Sequence, residues 1–210
     1  MTRYFDEEEK KAYPGSLGIR GTAWFLSATS MVTAEHVAAA MTLSGQDWKQ
    51  VEILDGETRQ STAVRRVSLA GSHAEKIAVL ELRAPFSAAR GLELRMQPLA
   101  PEERVWLASP TRAIVCASPP VASCNMAIAT RLTGTALLEM YDGDDRLVLD
   151  HGASGAPVLD CQGQVVAIVS NLFTQTMAFP FRVLRVSTAW GQPNVVSVPI
   201  QALKDFAEAK

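Results

Sequence analysis

The sequence predicts an all-β protein closed by a helix at its C-terminal end. Short runs of apolar, β-branched residues recur along most of the 210 residues. Turn signals such as Pro14-Gly15, Asp55-Gly56 and Asp142-Gly143 separate them, and helical periodicity is confined to two short places. Many short strands at roughly even spacing, without long helices between them, suit a barrel or sandwich rather than an alternating α/β chain.

In chain order, the charged residues 1–13 form a short helix or a frayed end, and 1–15 read as an N-terminal extension before the globular part begins at residue 16. Strands are expected at 21–26, 51–54, 63–69, 77–82 and 104–108. The second half continues with 113–117, 126–132, 136–141, 146–149, 156–159, 165–169, 179–186 and 195–198. Two segments depart from this pattern. The alanine-rich residues 34–41 suit one or two helical turns, and Pro199 followed by Ile200, Leu203 and Phe206 at helical spacing predicts a terminal helix over 199–210. The turn-rich Pro98-Leu99-Ala100-Pro101-Glu102-Glu103 falls near the middle, as a link between a first β lobe at about 16–97 and a second at about 104–198.

Composition excludes several classes. An apolar fraction of 48% and a charged fraction of 20% are those of an ordinary folded chain, not of a disordered, collagenous or coiled-coil one. The net charge is −2 and no basic cluster exceeds a pair, so nucleic acid is not an expected partner. Cys116, Cys124 and Cys161 are odd in number and contain no Cys-x-x-Cys spacing, which argues against a disulfide framework and against zinc. The N-terminus is acidic where a secretory signal would be basic and then apolar, so a cytoplasmic setting is expected. The longest uncharged stretch, 165–181, is broken by Ser170, Asn171, Thr174, Gln175, Thr176 and Pro180, so no membrane span is expected. Phe173, Phe179 and Phe181 read as core or cleft wall, and no cofactor or metal is expected.

The strongest chemical signal is His151-Gly152-Ala153-Ser154-Gly155-Ala156-Pro157-Val158, just ahead of the strand that starts at Val165. A serine between glycines is presented on a turn whose backbone N–H groups can approach a substrate carbonyl, which suits a nucleophile with an oxyanion hole. By itself such a run is more often a structural turn. A base is offered by Met31-Val32-Thr33-Ala34-Glu35-His36-Val37, where an apolar strand ends and a histidine opens a helical segment. Each motif raises the weight of the other. His151, beside the glycine turn, reads as a solvent-facing side chain.

On these residues the chain resembles the chymotrypsin-like serine peptidases, and within them the compact bacterial HtrA type, over about residues 16–205. The resemblance rests on Gly21-Thr22-Ala23-Trp24-Phe25, Val32-Thr33-Ala34-Glu35-His36, Ile77-Ala78-Val79-Leu80-Glu81-Leu82 and Gly152-Ala153-Ser154-Gly155-Ala156-Pro157-Val158, in that order. It implies two perpendicular six-stranded β-barrels with the active site in the cleft between them. It further implies Ser154 as nucleophile, His36 as general base, and the N–H groups of Gly152 and Ser154 as the oxyanion hole. The implied partner is a polypeptide substrate or peptide ligand; the oligomeric state is left open.

The pattern fails at one place. Where the family has the aspartate that orients the histidine, this chain has Lys76, in Ser72-His73-Ala74-Glu75-Lys76. A unit charge about 4 Å from the imidazole, at an effective dielectric near 20, interacts by roughly 4 kcal/mol, and a cation there opposes imidazolium formation. Three arrangements would rescue catalysis: Glu75 entering the vacated place through a shifted or bulged strand start, participation of His73, or a Ser154–His36 dyad. Ala153 stands where relatives usually have Asn or Asp, so maturation controlled by a new N-terminus is not expected. The specificity pocket implied by the resemblance is walled by Val148, Leu149, Ser170, Asn171 and Leu172. Without an acid at its base, it favours a small or medium apolar residue before the scissile bond. Two functional readings follow: a serine endopeptidase weakened by Lys76, or a pseudopeptidase that binds peptides without cutting them.

Overall fold

A computed structural model describes residues 2–4, 7–15, 18–41, 50–55, 58–71, 76–86, 89–100, 103–108, 125–129, 136–138, 152–172, 177–179, 182–184 and 195–204. Its first half contains β1 (Thr2–Tyr4), β2 (Gly18–Arg20), β3 (Trp24–Ser27), β4 (Ser30–Ala34), β5 (Gln50–Asp55), β6 (Thr58–Ala70) and β7 (Ile77–Leu82). Helices α1 (Glu7–Ala12) and α2 (Glu35–Ala40) lie between them. The second half contains β8 (Glu103–Leu107), β9 (Asn125–Ala129), β10 (Ala136–Leu138), β11 (Pro157–Leu159) and β12 (Val165–Leu172). It continues through β13 (Met177–Phe179), β14 (Arg182–Leu184) and β15 (Val195–Pro199) to a 3-10 turn at Ile200–Leu203. The chain is all-β with few helices, as its sequence predicts.

The first-half strands run in the order β2-β1-β5-β6-β7-β4-β3, a seven-stranded sheet whose two end strands follow one another in the chain. In the second half, β10-β15-β12-β11-β8-β9 form a ring of antiparallel neighbours that β9 completes by pairing with β10. Strands β13 and β14 make a separate hairpin, with Met177 opposite Leu184 and Phe179 opposite Arg182.

Two of the expected strands are revised. The run 21–26 is not one strand, because β2 ends at Arg20 and β3 starts at Trp24. In the opening segment, β1 enters the sheet between β2 and β5, pairing edges that would otherwise stay open. The run 179–186 contains the end of β13 and all of β14. Pro180 falls between them in sequence, and proline cannot donate to a ladder. Within the expected terminal helix over 199–210, Ile200–Leu203 form a 3-10 turn, whose three-residue period stacks Ile200 above Leu203, both fully buried. The expected strands at 113–117 and 146–149 lie outside the described residues, as do 205–210.

The core has three parts. One lies in the first half, with Met31, Val37, Ala38, Val64, Leu80 and Leu82, and another in the second, with Val105, Leu107, Leu138, Val158 and Val166. The third spans both, packing Trp24, Val32 and Ile77 against Val165, Ile168, Val198 and Leu203. At about 1.5–3 kcal/mol per fully buried aliphatic side chain, this shared cluster is what welds the halves into one body.

The chain crosses between the halves at Leu92–Arg95. Leu92 N–H donates to Phe25 O of the first half at 3.0 Å, while Val165 N–H donates to Glu93 O at 2.8 Å and Arg95 N–H to Val165 O at 3.0 Å. The Arg95 guanidinium then binds the Glu103 carboxylate through both nitrogens, and reaches Asp160 Oδ2 at 3.3 Å. Asp160 is buried, and its other oxygen accepts from the backbone N–H groups of Gln162 and Gln164, both at 2.9 Å. The bond from Arg95 holds the Glu103 carboxyl below the ordinary carboxylate range against the opposing effect of burial, and the same bond raises the Arg95 guanidinium.

Candidate active site

β4 is buried along its whole length between β3 and β7, and it delivers the chain to α2. Val37 and Ala38 bury one face of α2 in the first-half core, which leaves His36 exposed on the other. The β4–β7 register pairs Ala34 with Ile77, and one step further Glu35 N–H donates to Lys76 O at 3.1 Å. Lys76, half-buried, therefore stands at the strand end that adjoins the His36 helix.

The Ser154 turn comes from the second half and is seated by the first. Gly155 N–H donates to Val169 O at 2.7 Å, and Val169 N–H to Ala156 O at 2.9 Å, which fixes the turn on β12. Gly152 and Gly155 have φ of +108° and +87°, the left-handed region that glycine enters without steric cost. Gly155 has a second reason to lack a side chain. A Cβ there would lie 2.1 Å from Thr22 O, 2.4 Å from Thr33 Oγ1 and 3.1 Å from Ala34 N. The turn thus presses directly on the end of β4, two residues before His36.

Thr22 is the clasp. Its N–H donates to Ser154 O at 2.8 Å and its hydroxyl to Gly152 O at 2.6 Å. Its own carbonyl accepts from the buried Thr33 hydroxyl at 2.7 Å. With these groups committed to the turn, Thr22 is unavailable to a strand ladder, which is why β2 and β3 are interrupted there. Ala156 N–H donates to Ala153 O at 2.9 Å. Because a trans peptide points its C=O and N–H oppositely, that bond turns Ser154 N–H away from Ala156.

The structure thus brings the Ser154 turn, the His36 helix and Lys76 to one junction of the two halves. Ser154 is partly exposed. Ser170 is wholly buried on β12, at an irregularity in its pairing with β15. Asn171 and Leu172 continue β12. Glu75, His73, His151, Val148 and Leu149 lie outside the described residues. Sequence reasoning had no role for Thr22 and Thr33 and read Gly155 only as part of the turn; all three stood inside the quoted motifs, but only long-range contacts reveal what they hold.

The family model of the trypsin-like peptidase domain matches residues 21–168, and the chain belongs to that family. None of the curated proteins matches the sequence. Among solved structures, kallikrein-related peptidase 10 superposes with a TM-score of 0.59 at 14% identity, covering 94% of this chain and 91% of that one. The active form of the Rv3671c protease from M. tuberculosis gives 0.57 at 14% identity, with 90% and 72% covered. A scabies mite inactivated protease paralogue, S-D1, gives 0.55 at 11% identity, with 89% and 84% covered. At these identities the likeness is one of fold.

Proposed function

We propose that this protein is a serine endopeptidase in which Ser154 is the nucleophile, His36 the general base, and the Gly152 and Ser154 N–H groups the oxyanion hole. The observation that carries the reading is the docking of the Ser154 turn, through Thr22 and Gly155, onto the strand end that leads into His36. Ser154 Oγ attacks the peptide carbonyl as its proton passes to His36, and the resulting oxyanion is held by the two N–H groups. The C–N bond then breaks, the proton goes to the leaving amine, and water releases the acyl group by the same steps.

Counting β2 and β3 as one strand interrupted at Thr22 makes the first half a six-stranded barrel as well, and the cleft between two barrels holds the site. Lys76 in place of the orienting acid lowers turnover, because it opposes the imidazolium formed as Ser154 loses its proton. Residues 170–172, with Val148 and Leu149, wall a pocket for a small or medium apolar side chain on the acyl side.

Lys76 is also what favours the second reading, a pseudopeptidase that captures peptides in the same cleft. A protein named an inactivated protease paralogue shares this fold. A fluorophosphonate probe separates the two, since it labels only an activated serine. Labelling of the protein that is lost in Ser154→Ala supports the endopeptidase; absence of labelling in the folded protein supports capture without cleavage. Lys76→Asp is expected to raise turnover by about two to four orders of magnitude if the rest of the machinery is sound, and an unchanged rate would refute the assigned effect of Lys76.

A further inference from the structure

Arg20 ends β2, two residues before the Thr22 clasp, and it is exposed. Its Cβ lies 3.7 Å from where a Cβ would stand on Gly152, so this side chain starts beside the glycine turn. Gly152 has no side chain to screen it. Among the described residues Arg20 has no ion-pair partner, whereas Arg65 is paired with Glu81, and Arg95 with Glu103 and Asp160. The described carboxylate nearest the site in sequence, Glu35, belongs to the Lys76 side through its backbone bond to Lys76 O. Among the described residues, Lys76 is a second cation at this junction.

We infer that Arg20 is a specificity-determining residue that selects an acidic side chain on the leaving-group side of the substrate, within two residues after the scissile bond. The inference rests on the proposed reading of the Ser154 turn as the site that binds the scissile carbonyl. On that reading the acyl side of the peptide lies along β12, at residues 170–172. Arg20 comes from the other half of the protein and flanks the Gly152 end of the turn, so it faces the opposite side of the bond. Its flexible arm and exposed head suit a charge-to-charge contact with Asp or Glu rather than a deep pocket. A partly exposed pair of this kind changes affinity or rate by about three- to tenfold.

The test uses internally quenched peptides that carry Asp, Asn or Lys at the first or at the second position after the scissile bond and are otherwise identical. With the full-length protein, kcat/KM is expected to fall by about three- to tenfold from Asp to Lys. Arg20→Gln should flatten the series and Arg20→Glu should invert it, with thermal melting reporting that each variant is folded. A flat series in the unaltered protein, or an acidic preference that survives Arg20→Glu and Arg20→Gln, overturns the inference. If nothing is hydrolysed and Ser154 is not labelled, the endopeptidase reading fails separately. Fluorescence anisotropy of the same peptides on Ser154→Ala then decides: Arg20-dependent preference for Asp upholds the inference as binding selectivity, and equal affinities refute it.

Discussion

Two polar joints hold this protein's halves and their crossing segment in register, and they are built from different chemistry. At the front, the Ser154 turn is clasped by hydroxyls and backbone groups: Thr22 to Ser154 and Gly152, Thr33 to Thr22, and Gly155 pressed against β4. At the back, the segment that crosses between the halves is clamped by charge, with Arg95 bound to Glu103 and Asp160. Neutral joints keep their geometry across pH, whereas a charged joint ties stability to protonation. The chemistry proposed here cycles a proton through His36, and it therefore sits on the joint that does not titrate.

The largest effect should come from the tightest contact. Gly155→Ala places a methyl within 2.1 Å of a backbone oxygen at a φ of +87°, and should cost about 3–5 kcal/mol in unfolding free energy and abolish Ser154 labelling. Denaturant melts that show a loss under about 1 kcal/mol would mean that the turn can leave β4 cheaply, which would break the comparison. At the back joint, Arg95→Ala strands the buried Asp160 carboxylate without its cation, and a loss of about 2–4 kcal/mol is expected. Ser154 labelling should survive in whatever fraction stays folded.

Thr33→Val removes one buried hydroxyl and leaves Thr22 O without that donor, for about 1–2 kcal/mol. Its signature is a labelling rate that falls while the acid dependence of stability stays as it was. The smallest effect is that acid dependence itself. Because the folded-state pKa of Glu103 is depressed, its contribution is present above the ordinary carboxylate value and is lost as pH falls through the depressed value. Unfolding free energy should therefore decline on the acid side of the ordinary carboxylate range, and Glu103→Gln should flatten that decline. An identical acid profile in Glu103→Gln would sharpen the comparison against the back joint as its source.

The residues proposed to carry the chemistry could be named from the sequence because their motifs are local. A serine between glycines before a buried strand, and a histidine at a strand-to-helix junction, are each read from eight residues or fewer. The strands were legible for the same reason, and 77–82 is reproduced to the residue. Boundaries failed where long-range bonding overrides local propensity. Gly21–Ala23 reads as strand, yet Thr22 gives its N–H and hydroxyl to a turn 130 positions away. β1 is too short and charged around to be seen as strand, and it is one only because β2 and β5 offer it edges.

Period and composition by themselves determined that this chain is all-β, and motif order determined that Ser154, His36 and Lys76 belong to one chemical argument. Alternation, turn residues and short motifs are properties of neighbours in the chain, so they survive without coordinates. Only the tertiary structure decided that Gly155 is a contact with β4, that Thr22 is the clasp rather than a strand residue, and that Arg20 stands over the glycine turn. Those are contacts between residues more than a hundred positions apart, and their cost or gain depends on a few tenths of an ångström of packing that sequence spacing does not encode.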